Sequence, residues 1–436
     1  MKFYNRTEEL SILHRAYEQS KKSACFTVLI GRRRIGKTTL VMESVSGKRH
    51  LYLFVARKNE QLMCAQFQEE AKRALGIEIF GSVADFRTLF ELLLKFSMNE
   101  HYTLIIDEFQ ELERINKSII GDIQDVWDRY SADAKIHLIV CGSVYSMMRR
   151  LFENEKEPLF GRLTSKMVLK PFDIKTLKEV LKDHNPRFTH DDLLCLYLIS
   201  GGIPKYIHLL IASGSVTKDA MIDFIVRQDS PFLGEGRDLL ISEFGKEYGT
   251  YFSILQLIAS GRTTQAEIDS IIEKNTGAYL ANLESVYSLI RKNKPVFSKP
   301  GSRNTRWSLN DNFLMFWFRF IFPNQSMIEL GKHEILKQYV LQGYDQYSGL
   351  VLEKYFTEKI SQEEDITDIG RYWDKTGENE IDIVATNSIK KRAVIAEVKR
   401  NKRRIDLDVL KRKAISLQHS LSAYNIEYRA LSLDDM

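Results

Sequence analysis

Proline is scarce in this chain, with 8 among 436 residues. Long extended linkers are therefore not expected, and most of the length should fold into packed elements. Cysteine is rarer still. Cys25, Cys64, Cys141 and Cys195 stand far apart with no CxxC pair. That argues against a zinc site or a disulfide framework and fits buried, reduced thiols. Long apolar runs are absent too. The most membrane-like stretch, Phe313 to Phe322, is about half the length a bilayer needs, and it carries Arg319, so it reads as a buried helix. The start, MKFYNRTEEL, has no apolar signal core. A cytoplasmic protein with no membrane partner is expected. No repeat or low-complexity tract is visible, and the net charge of +5 is too small to name a partner.

The length suits two to four domains. In the first part, short apolar runs (CFTVLIG, HLYLFVA, YTLIIDE, KIHLIVCGS) alternate with helical patterns. That alternation predicts an α/β unit, a parallel sheet covered by helices, over 1–172. From Asp173 the period is helical, broken by SGGIP, which suggests a helical subdomain over 173–240. Gly234, Gly236 and nearby charges read as a linker. Over 241–312, three short helical patterns precede KPVFSKPGSRNTRWSLND, which reads as two strands around a turn at Pro300-Gly301. Three helices and a hairpin form the winged-helix pattern. A helical linker over 313–340 leads to a small α/β unit over 341–436. It contains a helix (SGLVLEKYFTEKI), strand-like runs (IGRYWDK, NEIDIVAT, RAVIAEVKR) and a final helix over 407–419.

Gly31-Arg32-Arg33-Arg34-Ile35-Gly36-Lys37-Thr38 follows the full GxxxxGK[ST] pattern between a strand and a helix. Glycines let such a loop wrap phosphate, and backbone N–H groups at the helix start, from Lys37 through Thr39, face the anion. Lys37 would neutralise the β- and γ-phosphates of ATP, and Thr38 would ligate Mg²⁺. Leu104-Ile-Ile-Asp107-Glu108 delivers two carboxylates at the end of a buried strand. Asp107 would hold the Mg²⁺ shell and Glu108 would polarise the attacking water. The extra Glu favours hydrolysis over transfer to a small acceptor. Ser143, ending the strand IHLIVCGS, either senses the γ-phosphate or caps the next helix.

In order, FYNRTEEL, the phosphate loop, LIIDEFQ, VCGS, PLFGR and GGIPKYI resemble the archaeal-type ATPase family of the AAA+/STAND class. The resemblance runs through most of the chain. It implies a P-loop NTPase fold with a helical lid. It also implies that Asn5 and Arg6 lie beside the adenine. It makes Arg162, in LFGR, the family's arginine, acting in cis or from a second copy in a homo-oligomer, with a surface ion pair as the alternative. Gly201, Gly202 and Pro204 match the lid, where a tight backbone would approach the nucleotide. The alternative is a plain interhelical turn.

Two further constellations concern nucleic acid. Asn275 to Lys292 would be the recognition helix of the winged module, with Lys299, Arg303 and Arg306 on the wing for phosphates. Alternatively the module packs within the chain or docks a protein partner. Near the C-terminus, Glu380-Ile-Asp382 is followed by Ile395-Ala-Glu397-Val-Lys399. On adjacent strands these would bring Asp382, Glu397 and Lys399 together, as metal-assisted phosphodiester hydrolysis needs. Asp382 and Glu397 would bind Mg²⁺ or Mn²⁺, Lys399 would orient water, and Glu353 would be a third acid. This resembles the PD-(D/E)XK nucleases, with Glu380 standing in place of the proline. Lys390, Lys391, Arg392, Arg400, Lys402, Arg403, Arg404, Lys411, Arg412 and Lys413 crowd around it. The expectation is an ATPase whose cycle controls a metal-dependent nuclease-like domain acting on DNA. The alternative is an ATP-driven switch, antitoxin-like or defence-related, whose last domain only binds nucleic acid or a protein.

Overall fold

The computed structural model describes residues 2–78, 81–244, 248–299, 301–363 and 365–436. It divides into two compact units, Phe3–Pro171 and Phe172–Met436. In the first, five parallel strands run β1 (Cys25–Ile30), β2 (His50–Phe54), β3 (Tyr102–Asp107), β4 (Ile136–Gly142) and β5 (Ser165–Val168). Their spatial order is β2-β3-β4-β1-β5. Every residue of β1, β3 and β4 is buried, which is why these strands read as unbroken apolar runs rather than alternating ones. Helices such as Glu60–Leu75, Phe86–Asn99 and Ile119–Tyr130 supply apolar faces to a core that includes Phe67, Phe86, Phe90 and Trp127. Side-chain caps start two of these helices: Asn59 accepts from Gln61 N and Asp85 from Thr88 N. Edge strand β5 was not anticipated. Its four residues, Ser-Lys-Met-Val, bury only Met167 and carry no apolar run.

The second unit begins with helices Ile174–His184, His190–Ser200, Pro204–Ala212, Lys218–Val226 and Phe232–Phe244. The last replaces the linker expected at Gly234 and Gly236. A side chain at Gly236 would put its Cβ 2.2 Å from the Trp317 ring, so this glycine lets a helix approach an indole. The Trp317 indole N–H donates to Leu233 O at 3.0 Å. Phe313 to Phe322 is a buried helical stretch, as its composition implies.

Helices Tyr248–Ala259, Gln265–Ile272 and Gly277–Ser285 precede an antiparallel ribbon, β6 (Ile290–Asn293) with β7 (Arg306–Leu309). The expected recognition helix is thus shorter than Asn275–Lys292, and its last three residues, Ile290 to Lys292, belong to β6. Pro300 of the expected turn lies outside the described residues. One unbroken helix, His333–Ser361, runs through the boundary expected between 340 and 341, since nothing in that stretch breaks it. It packs on a sheet ordered β11-β10-β9-β8, from β8 (Asp368–Trp373), β9 (Glu380–Asn387), β10 (Arg392–Val398) and β11 (Asn425–Leu431). The final helix is Leu407–Ala414, with a short 3₁₀ turn at Ile415–Leu417. Strand β11, which pairs parallel to β10, was not anticipated. Among the described residues no helix is long and apolar enough to cross a membrane.

Candidate functional site

The phosphate loop leaves the end of β1 and enters helix Lys37–Ser44. Its turn uses left-handed backbone at Arg34 (φ 74) and Gly36 (φ 90), the second of which is costless only for glycine. Lys37 is buried, and its ammonium donates to Gly31 O at 2.8 Å and Arg32 O at 3.1 Å. Burial pushes its pKa down, against the opposing pull of Glu108 and Asp107. Thr38 Oγ1 donates to Asp107 Oδ2 at 2.7 Å, so the loop's hydroxyl and the β3 carboxylate share one spot. A hydroxyl and a carboxylate in contact at a helix N-terminus fit the donor set Mg²⁺ takes beside phosphates. Tyr52, on β2, also donates to Asp107 Oδ2 at 2.8 Å. Burial, and then Asp107, raise that phenol's pKa.

Glu108 sits just past β3 with left-handed backbone (φ 55), a costly conformation for a side chain of this length. Its Oε2 accepts from Ser143 Oγ at 2.7 Å, Ser143 N at 3.3 Å and Gln110 Nε2 at 2.6 Å. Ser143 therefore serves the glutamate, a role neither sequence alternative named. Sequence reasoning missed Tyr52 and Gln110. The motif LIIDEFQ does contain Gln110, but nothing in it says where the amide turns.

Arg6 is buried, and its guanidinium bonds Glu9 Oε1 at 3.0 Å and Lys170 O at 2.8 Å, close to Ile35 O at 3.5 Å. It clamps the loop's flank. Asn5 is exposed, and its Oδ1 accepts from Arg6 N at 2.7 Å. Arg162 is in a fork on Asp128, with Nε–Oδ1 at 3.1 Å and Nη2–Oδ2 at 3.0 Å. The ion pair of the sequence alternative is thus formed. In the second unit, Gly202 has φ 76, and a Cβ there would lie 2.2 Å from Phe172 O. The tight backbone expected at Gly201-Gly202 is used against Phe172, whose N–H donates to Gly202 O at 2.8 Å. Pro204 opens the next helix.

The C-terminal constellation assembles on the second sheet. Lys399 Nζ lies 2.9 Å from Glu397 Oε1 and 3.4 Å from Asp382 Oδ2. Asp382 also accepts from Val398 N at 2.8 Å. Two further cations complete the cluster: Lys413, from the basic residues noted around it, and Arg371, which was not foreseen. Lys413 lies 3.4 Å from Glu397, and Arg371 lies 3.0 Å from Glu353 and 4.0 Å from Asp382. Arg371 lies opposite a register shift at which β9 carries the extra residue, with Asp382 and Ile383 facing it alone, and such a bulge re-aims side chains. Burial raises the Glu353 carboxyl to about 7, and raises Asp382 with help from Glu397. The Lys399 pKa is raised as well: burial opposes, but Asp382 and Glu397 outweigh it. Among the described residues no group of three His, Cys, Asp or Glu side chains is placed to hold a metal ion. Glu353, Asp382 and Glu397 are each paired with a cation, Arg371, Lys399 or Lys413.

The basic surface is also more neutralised than the sequence implied. Lys390 and Arg392 pair with Asp365, Arg400 with Asp191, Lys402 with Asp435 and Lys411 with Asp408. Arg403, Arg404 and Arg412 are exposed. On the ribbon, Arg306 pairs with Glu380 and stacks on Trp373 with its guanidinium carbon 4.9 Å from the ring centre, rather than standing free for phosphate.

A five-stranded parallel sheet with GxxxxGKT after one strand and Asp-Glu at the end of another defines a P-loop ATPase. Residues 3–210 match the family model described as an ATPase domain predominantly from Archaea. Residues 317–414 match one described as archaeal and bacterial proteins of unknown function. An uncharacterized protein of Methanocaldococcus jannaschii is 32% identical over 407 residues, covering 91% of this chain and 87% of that protein. The chain belongs to this archaeal-type ATPase family. Among solved structures it is similar to a Walker-type ATPase of Pyrococcus abyssi, with TM-score 0.53 and 18% identity, covering 72% of this chain and 96% of that one. It also matches the ORC2 protein of Aeropyrum pernix in ADPNP–ADP complexes, with TM-score 0.47 and 15% identity over 78% of this chain and 96% of that one.

Proposed function

We propose that this protein hydrolyses ATP with Mg²⁺ at the phosphate loop and that the cycle controls the C-terminal constellation. The observation that carries the first part is the Thr38–Asp107 contact beside a separately held Glu108. Lys37 and the loop N–H groups of residues 31–39 bind the phosphates, Thr38 and Asp107 take Mg²⁺, and Glu108 orients the attacking water. Arg162, Asn5 and Pro204 are proposed only as nucleotide-side residues, on the family resemblance. Phosphate release measured at saturating ATP tests the reading. Glu108→Gln should lower turnover at least about 100-fold with ATP still bound, and unchanged turnover would refute the role.

For the C-terminal constellation the first reading is cleavage of DNA by Asp382, Glu397 and Lys399, approached through the exposed Arg403, Arg404 and Arg412. The test is supercoiled plasmid with Mg²⁺ or Mn²⁺, with and without ATP, against Lys399→Ala and Lys37→Ala. Cleavage lost in Lys399→Ala supports a nuclease, and loss in Lys37→Ala supports control by ATP. The second reading is an ATP-driven switch whose C-terminal domain binds nucleic acid or a protein without cutting. The cation on every one of its carboxylates favours this reading. It predicts no cleavage under any of these conditions with ATP turnover intact.

A further inference from the structure

Gln110 closes the LIIDEFQ motif without an assigned role, and it is completely buried two residues after the candidate water-orienting glutamate. Its amide is oriented unambiguously. Nε2 donates to Glu108 Oε2 at 2.6 Å and lies 3.4 Å from Glu111 Oε1, so the nitrogen must face the two carboxylates. Glu111 is itself fixed by Arg57 at 2.6 Å and Arg114 at 2.7 Å. The amide oxygen points the other way, buried and without a hydrogen-bond partner. It lies where a Cβ on residue 142 would come within 2.2 Å, so glycine at 142 makes the room it occupies.

A buried acceptor left unpaired is destabilising. A methionine or leucine would fill the same space without that cost. A glutamine is worth keeping there only for its donor end. Gln110 and Ser143 direct three donors onto one oxygen of Glu108, Oε2. That leaves Oε1 to face a reacting water and fixes the plane of the carboxylate, as an orienting third group fixes a catalytic base.

We infer that Gln110 is a positioning residue for ATP hydrolysis that, with Ser143, sets the orientation of the Glu108 carboxylate. This rests on the proposed role of Glu108. The test is Gln110→Met, which keeps the volume and removes both the donor and the unpaired oxygen. Steady-state ATPase kinetics, ATP binding and thermal melting would be measured for wild type, Gln110→Met, Ser143→Ala and Glu108→Gln. The expected result is kcat lower by at least about tenfold in Gln110→Met, with KM within about twofold and the melting temperature not lowered. In the Glu108→Gln background the second substitution should cost nothing more. A purely structural glutamine would lower the melting temperature and leave kcat alone. Wild-type kcat in Gln110→Met alongside an inactive Glu108→Gln overturns the inference and spares the role of Glu108. An active Glu108→Gln removes that role itself, and with it the inference.

Discussion

The two acidic sites differ in what holds their carboxylates. Asp107 and Glu108 accept from neutral groups: Thr38, Tyr52, Ser143, Gln110 and backbone N–H. Asp382, Glu397 and Glu353 are held by Lys399, Lys413 and Arg371. Neutral donors orient a carboxylate and leave its charge to be met by an incoming cation, whereas a lysine or arginine cancels that charge in place. The first site thus keeps a carboxylate charge that the Mg²⁺ of the proposed mechanism would meet. At the second, a metal would compete with these internal cations for the carboxylates.

The largest test of that contrast is at the first site. Asp107→Asn keeps an acceptor for Thr38 but removes the charge, and Mg²⁺-dependent ATP turnover should fall at least about 100-fold. At the second site the sign reverses. In a Lys37→Ala background, which silences the first site, Arg371→Ala should tighten Mn²⁺ binding about tenfold, equal to about 1.4 kcal/mol, as read by calorimetry. Equal affinity with and without Arg371 would mean its pairing does not guard the cluster.

The two units should also respond to pH in opposite senses. His137, buried in β4 with Nε2 2.9 Å from Thr27 Oγ1, has its pKa pushed down to about 3 by burial. The unfolded chain binds a proton there that the folded one refuses. Stability is therefore full above the unfolded value near 6.5 and is lost as pH falls toward 3, by about 2 kcal/mol at pH 5. Glu353 is raised to about 7, so the folded state holds a proton that the unfolded chain releases. Its cost to stability grows as pH climbs from about 4.5 toward 7 and is of similar size. Melting temperatures across pH 4.5 to 8 check both: His137→Gln should flatten the acid limb and Glu353→Gln the alkaline one.

How much of this was legible in the sequence follows from how local each feature is. The phosphate loop is one contiguous segment, and β1, β3 and β4 are unbroken apolar runs, so fold and nucleotide site could be read together. Asp382, Glu397 and Lys399 were legible because strand alternation and a single hairpin suffice to gather them. Tyr52 was not, since it reaches Asp107 from a neighbouring strand and its spacing carries no signal. Arg371 was hidden for another reason: the β9 bulge at Asp382 and Ile383 that it faces exists only once β8 has paired with β9. The basic residues were read without their acidic partners, because a sequence displays charges without the contacts that offset them. Gly234 and Gly236 were over-read as a linker, because a glycine that admits an indole looks like one that ends a helix.

The smallest effect concerns Arg306, which sequence reasoning assigned to a nucleic-acid phosphate. The structure holds it on Glu380 and over Trp373, while Trp373 Nε1 donates to Asn304 Oδ1 at 2.8 Å and Val296 N to Arg371 O at 2.9 Å. The ribbon loop is thereby fastened to β8, and Glu380 lies two residues before Asp382 on the same face of β9. Arg306→Ala removes an ion pair that is about a third exposed and one cation–π contact, leaving the Asn304 and Val296 bonds in place. Destabilisation of about 1 kcal/mol is expected, measured by denaturant unfolding followed through tryptophan fluorescence. A double-mutant cycle with Glu380→Gln should recover about 0.5 kcal/mol of coupling. If Arg306 instead served a phosphate, its loss would leave stability unchanged and weaken DNA binding with a shallower salt dependence. That outcome would turn the fastened ribbon into a nucleic-acid contact and weaken the contrast between a site held open by neutral donors and one closed by the chain's own cations.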